Sequence, residues 1–260
     1  MELGLTDRRA VVTGGSKGIG LAVAQELVAE GVDVAICARD AGEVKVVTDE
    51  LAASGRTVFG MVADVCDPDQ VRAFMAAAAD ELGGIDILVN NAGAARPGTF
   101  ETLTDADWQS DLDIKLFSQV RCVRAALPHL RTSRAGRVIN INAVYAKYPD
   151  PAFFATSVNR AACLNLSKTL AMELGAEGVL VNSVNIGYVV TPQWENIRLK
   201  RAPELSAEDF FARWAAEEIP LGRFGETGEV SGIVAFLASD RASYITGASV
   251  DVAGGMGKYV

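Results

Sequence analysis

The chain has 260 residues, a formal net charge of -9 and a hydrophobic share of 50%. An acidic balance argues against general nucleic-acid binding, which needs a basic surface. No apolar run approaches the roughly 20 residues of a membrane span. The opening segment MELGLTDRRAVVTGG lacks a basic stretch followed by an apolar core and a small-residue cleavage site, so a cytoplasmic location is the expectation. Cys37, Cys66, Cys122 and Cys163 are far apart and His129 is the one histidine, a pattern that fits buried free thiols and no metal site.

In chain order, short β-branched runs alternate with longer helical patterns. Arg8 to Gly14 reads as a strand and Ile19 to Glu30 as a helix, followed by a strand at Asp33 to Ala38 and a helix over about Glu43 to Ala53. TVFGMVAD is a third strand, DPDQVRAFMAAAADEL a third helix and IDILVNN a fourth strand. A long helix is expected from about Asp105 to Leu130, a strand at GRVININ, a second long helix over about Ala152 to Leu174 and a strand at VLVNSVN. An irregular lid-like stretch at about 186–221 precedes a helix at Glu229 to Ala238 and a last strand in ASVDVAGG. The pattern predicts an α/β, Rossmann-type doubly wound parallel sheet, one domain over residues 1–260, with ligands beyond the carboxyl ends of the strands.

The sharpest motif is Thr13-Gly-Gly-Ser-Lys-Gly-Ile-Gly20, between the first strand and the first helix. Glycines let a backbone turn tightly against a pyrophosphate, and the helix N-terminus adds amide donors and a positive dipole end. With Asn90-Asn91-Ala92-Gly93, Asp64-Val65, Gly187-Tyr-Val-Val-Thr191, GRFGETGEV and ASYITGASVDVAGG, the chain resembles the short-chain dehydrogenase/reductases, and 3-oxoacyl-ACP reductase-like members in particular, over essentially its whole length. The resemblance implies a cofactor site built from Gly14, Ser16, Lys17, Gly18, Ile19, Gly20, Asp64, Val65, Asn91, Ala92, Gly93, Gly187, Val189 and Thr191. It also implies a homo-oligomer, a tetramer or a dimer.

The second strand ends in Cys37-Ala38-Arg39. Ala38 stands where an NAD-specific site often has an acidic residue for the ribose 2′-hydroxyl. Arg39, with Lys17 in the glycine turn, suits a 2′-phosphate instead, which makes NADP(H) the expected cofactor. Alternatively, Arg39 is a solvated residue partly neutralised by Asp40.

The family places Ser, Tyr and Lys at the catalytic centre, with Asn on the preceding long helix. The register of Arg160 to Glu173 puts Arg160 at the Lys position, Thr156 at the Tyr position, Ala143 at the Ser position and Lys115 at the Asn position. All four are substituted. Threonine has no useful acidity near neutral pH, and arginine holds ribose hydroxyls without shuttling protons.

Three readings follow: an NADP(H)-dependent oxidoreductase for a carbonyl or alcohol with a relocated acid; a non-redox lyase or isomerase on the same fold; and a catalytically inactive NADP(H)-binding sensor or partner protein. In the first, Lys115 is the candidate acid, on an inner stripe with Trp108, Leu112 and Gln119 and acidified by Arg160, unless it snorkels to solvent. Tyr145, Tyr148 and Tyr188 are the alternatives, unless they are ordinary loop aromatics. Trp194, Phe210, Phe211 and Trp214 in the lid predict either packing on the domain or a site for an apolar substrate. Arg198, Lys200 and Arg201 read as a solvated charge run or a site for an acid group.

Overall fold

The computed structural model describes residues 2–257; Met1 and residues 258–260, which the expected domain span includes, lie outside the described residues. Seven parallel strands form one sheet in the order β3-β2-β1-β4-β5-β6-β7. They are β1 (Arg9–Thr13), β2 (Asp33–Ala38), β3 (Val58–Val62), β4 (Ile87–Asn90), β5 (Arg137–Ala143), β6 (Leu180–Ile186) and β7 (Ser249–Val252). Central strands buried on both faces read as unbroken apolar runs, as ILVN in β4 does. The order reverses direction at β1, which pairs Val11 with Ala35 of β2 on one side and with Leu88 of β4 on the other. The strands diverging from that point leave a crevice at their carboxyl ends.

Helices cover both faces. Val12, Val34 and Ile36 pack on one side with α1 (Gly18–Ala29), α2 (Ala41–Ala52) and α9 (Thr227–Ala238). Val11, Ala35 and Leu88 pack on the other with α3 (Pro68–Leu82), α5 (Ser118–Thr132) and α6 (Phe154–Leu174). The alternation of Val11 and Val12 between the two cores is the period of a strand. Several helix starts are written in the sequence. Asp40 caps α2 and Asp67 with Pro68 opens α3; Thr104 and Asp107 form a reciprocal capping box on α4 (Asp105–Leu112). Gly83 ends α3 with φ +77°, a left-handed conformation that costs glycine little.

Two expectations need correction. The long helix expected from Asp105 is interrupted: α4 runs to Leu112, a π-helical turn spans Asp113–Phe117, and α5 continues to Thr132. No glycine or proline marks the π turn, so helical periodicity alone does not reveal it. The stretch 186–221 is not irregular but carries two helices, α7 (Pro192–Arg201) and α8 (Ala207–Glu218), the second capped by Ser206. The polar composition of α7 hides it from a search for apolar periodicity, whereas Phe210, Phe211 and Trp214 fall at helical spacing in α8.

At the opposite end of the sheet, Asp86 before β4 receives Arg9 N, Nε and Nη2 and the Ser133 hydroxyl at 2.6–3.0 Å. Burial opposes its ionisation, but the Arg9 guanidinium and the Ser133 hydroxyl prevail and hold the carboxyl below its usual range. A carboxylate with a depressed folded-state pKa contributes stability above its unfolded value, and that stability disappears as pH falls through the folded value. Asp86→Asn is expected to cost about 2 kcal/mol near neutral pH, and the gap between its melting curve and that of wild type should narrow as pH falls through and below 4. A gap that stays constant with pH would contradict the assignment.

Candidate active site

The glycine turn meets the end of β4 through two side chains. The Thr13 hydroxyl accepts from the amides of Asn91 (3.0 Å) and Ala92 (3.1 Å), and Asn91 Nδ2 donates to the carbonyls of Thr13 (3.0 Å) and Gly14 (3.1 Å). The fit leaves little room for a side chain at Gly14 and none at Gly20. A Cβ on Gly14 would lie 3.0 Å from Ala92 Cα, and one on Gly20 would collide with the Gly14 carbonyl and Asn91 Nδ2. Gly14 (φ +66°) and Gly18 (φ +57°) use the conformation open to glycine. Whereas side chains cap α2, α3, α4 and α8, none caps α1. A turn of this shape leading into an uncapped helix fits the pyrophosphate of a dinucleotide.

The other expected cofactor residues line the same end of the sheet. Ile19 and Val65 are buried, and Asp64 Oδ1 accepts from Cys66 N at 2.9 Å. Gly187 follows β6, and Val189 pairs with Gly225. Thr191 precedes α7 with its methyl 3.5 Å from where a Cβ on Gly18 would stand, and Gln193 Oε1 accepts from Ala95 N at 3.2 Å, so the start of the lid lies over the turn. Arg39 is exposed and makes no ion pair among the described residues; Asp40 is occupied capping α2 rather than neutralising it. Lys17 lies in the same turn. Its ammonium pairs with Glu43 at 2.7 Å, and Glu43 also accepts from the Ser16 hydroxyl at 2.8 Å. These two hydrogen bonds hold the Glu43 carboxyl below its usual range.

Beyond Gly93 the structure brings together Lys115, Thr156 and Arg160. Lys115 does not snorkel: it is 1% exposed, in the π turn, and its Nζ donates to Asp111 Oδ1 and to Thr156 Oγ1 (3.1 Å). The Thr156 hydroxyl can itself donate to the Arg96 carbonyl or to Asp111 Oδ1, both at a long 3.4 Å. Arg160 Nη1 donates to the Ile141 carbonyl (2.9 Å), its Nη2 lies 3.2 Å from where a Cβ on Gly93 would stand, and its Nε is buried without a partner. That cation, facing the Asn-Ala-Gly loop, fits the hydroxyls of a ribose. Burial, reinforced by Arg160 and opposed by Asp111, lowers the Lys115 pKa from 10.5 to about 8.

Sequence reasoning missed Asp111 and Asn159. The inner face of this helix carries Asp111, Lys115, Ser118 and Gln119, with Trp108 and Leu112 only half-buried. The spacing of four between Asp111 and Lys115 was the available signal. Among the alternative acids, Tyr188 is buried between Trp194 (ring centroids 4.5 Å apart), Trp214 and Phe224. Its hydroxyl meets that of Tyr145 at 2.9 Å, and burial raises both phenol pKa values, making them weaker acids. Tyr148 is half-buried in the turn after β5. The lid aromatics pack among themselves, with Phe210 5.7 Å and Trp194 5.6 Å from Trp214, while Arg201 stacks over Trp214 and Arg198 pairs with Glu195. Cys37, Cys66, Cys122 and Cys163 are free thiols; among the described residues no acidic, histidine or cysteine cluster could hold a metal, and no helix is long and apolar enough to cross a membrane.

Residues 14–257 match the family model described as enoyl-(acyl carrier protein) reductase. The 3-oxoacyl-[acyl-carrier-protein] reductase FabG of Staphylococcus aureus is 33% identical across 96% of this chain and 98% of its own. An NADPH-bound short chain oxidoreductase of Pseudomonas aeruginosa PAO1, described as containing an atypical catalytic center, is 39% identical, with a TM-score of 0.93 over 99% of both chains. L-sorbose reductase of Gluconobacter frateurii, solved with NADPH and L-sorbose, is 31% identical, with a TM-score of 0.96 over 100% of both chains. With a family model matched over residues 14–257 and a relative 33% identical across 96% of its length, the chain belongs to the short-chain dehydrogenase/reductase family.

Proposed function

We propose that this protein is an NADP(H)-dependent oxidoreductase that interconverts a carbonyl compound and its alcohol, with Lys115 supplying the proton through Thr156. The observation that carries the reading is the buried Lys115 ammonium 3.1 Å from Thr156 Oγ1, next to the unpartnered Arg160 Nε. Bound NADPH supplies the hydride. The carbonyl oxygen takes the Thr156 hydroxyl proton, Thr156 takes one from the Lys115 ammonium, and the amine left behind regains a proton from water. Thr156 is a suitable last link because its own two donor bonds are long and easily redirected. Arg160 and the turn at 13–20 hold the cofactor.

With a pKa of about 8, Lys115 is an ammonium below that pH and an amine above it. Carbonyl reduction therefore falls as pH rises through 8, and alcohol oxidation rises over the same interval. Lys115→Met is expected to slow reduction by about 10²- to 10⁴-fold while NADPH affinity, followed by its fluorescence, holds. Since removing one partner strands a buried charge at about 3–5 kcal/mol, the double substitution Lys115→Met with Asp111→Asn is the folded control. The assay is single-turnover NADPH oxidation with cyclohexanone, acetophenone and an acetoacetyl thioester. Unchanged turnover in the double variant excludes Lys115, and absence of hydride transfer to any carbonyl across a broad panel favours a binding protein without catalysis.

NADP(H) selectivity rests on Arg39, with Ala38 offering no carboxylate to a ribose. Arg39→Ala is expected to weaken NADPH binding about tenfold or more, the loss of one charge-assisted contact, and to leave NADH binding unchanged. Glu43→Gln frees Lys17 and should tighten NADPH by up to about fivefold, the range of an exposed ion pair. Calorimetry with both cofactors measures each; NADH bound as tightly as NADPH by the wild type overturns the assignment.

A further inference from the structure

A carboxylate is 0% exposed at the centre of this site, and neither the fold nor the cofactor requires one there. Asp111 lies on α4 one turn before Lys115, where an apolar side chain would pack at no electrostatic cost. An isolated carboxylate cannot stay ionised in such a place, so its donors must offset its lost water. Each of its oxygens has its own partner. Oδ1 accepts from Lys115 Nζ and lies 3.4 Å from the Thr156 hydroxyl; Oδ2 accepts from Asn159 Nδ2 at 2.8 Å. Asn159 and Thr156 both belong to α6, so the carboxylate ties the helix carrying Lys115 to the helix carrying the hydroxyl.

We propose that Asp111 is a positioning residue of the proton-transfer site: fixed by Asn159, it holds Lys115 against the Thr156 hydroxyl and keeps it charged where it is only 1% exposed. The proposal rests on the reading of Lys115 as proton donor. The charged and polar groups around Lys115 are Asp111 from α4 and Thr156, Arg160 and Cys163 from α6, with Asn159 reaching it only through Asp111; the Cys163 thiol donates to the Lys115 carbonyl at 3.3 Å. Of these, burial and Arg160 push the ammonium to lose its proton, and Asp111 resists both. Without Asp111, the lysine would become a neutral amine at neutral pH and have no proton to give. Without Asn159, the carboxylate would lean more heavily on Lys115 and hold its proton more tightly. The two substitutions therefore move the same titration in opposite directions, which an ion pair serving stability alone does not require of the reaction.

The test follows Lys115 directly and then through the reaction. In protein labelled with ¹³C at the lysine ε-carbon, the Lys115 signal is identified by its absence from Lys115→Met carrying Asp111→Asn. Its titration is recorded with NADPH bound and without. Asp111→Asn is expected to lower the midpoint by about one pH unit or more, a tenfold change in the ammonium-to-amine ratio, and Asn159→Ala is expected to raise it. The alkaline limb of kcat for reduction of the most reactive ketone should move with the NMR midpoint in each variant, with KM and NADPH affinity unchanged. A Lys115 midpoint unaffected by either substitution overturns the proposal, as does a kcat limb that stays in place while the midpoint moves. Should Asp111→Asn fail to fold, the upward shift in Asn159→Ala decides the matter alone. If the Lys115→Met, Asp111→Asn protein reduces ketones at the wild-type rate while the midpoints move as stated, the proton-donor reading fails and Asp111 is left as an electrostatic partner only.

Discussion

The reversal of strand order at β1 fixes where everything else must stand. Parallel strands on either side of it diverge at their carboxyl ends, and the gap has to be bridged by polar groups because both flanking strands end in main-chain donors and acceptors. Here Thr13 and Asn91 provide the bridge, exchanging hydrogen bonds between the glycine turn and the loop after β4. Because that contact is so close, Gly14 has little room for a Cβ and Gly20 none, and because it is made by side chains, the first amides of α1 stay free. The same loop continues to Gly93, facing Arg160. The glycine turn and the cleft at Arg160 are thus two consequences of one crevice.

Within the cleft, opposing electrostatic effects decide what chemistry remains. Thr156 carries a hydroxyl with no useful acidity near neutral pH, and Arg160 beside it is a cation that does not give up its proton. A lysine drawn into that space is discouraged from charging by lost hydration and by the guanidinium. The carboxylate of Asp111 opposes both, and the resulting value of about 8 is close to neutrality, where a general acid works best. The π turn contributes to this geometry. Its extra residue rotates the helix between Asp111 and Ser118, and Lys115 lies within it.

Much of this was legible in the sequence, and the limits have physical causes. Strands such as DVAICA and motifs such as the glycine turn carry local signals, a β-branched run or a forced conformation, and the structure reproduces them. The substituted positions Thr156, Arg160 and Lys115 could be placed because helical register fixes relative direction, and the structure does bring them together. Asp111 escaped because an aspartate in an otherwise polar helix start looks like a solvated residue; only the approach of α6 shows that it is buried. The pairing of Lys17 with Glu43 escaped for a similar reason, since Glu43 lies in the next helix over, 26 residues away. The π turn and α7 escaped because neither depends on apolar periodicity, while α8 did show its aromatics at helical spacing.

The two lysine–carboxylate pairs of this site show how surroundings convert one interaction into two different devices. Lys17 and Glu43 are 60% and 37% exposed, so water screens their attraction, and an arriving phosphate with more charge and more acceptor atoms can displace the carboxylate at small cost. Lys115 and Asp111 are each 1% exposed at their side chains. Neither can be released without leaving the other charge buried and uncompensated, so that pair can change state only by moving a proton. Exposure makes the first pair a competitor for the ligand's own contacts. Burial makes the second a fixed part of the frame, tying α4 to α6.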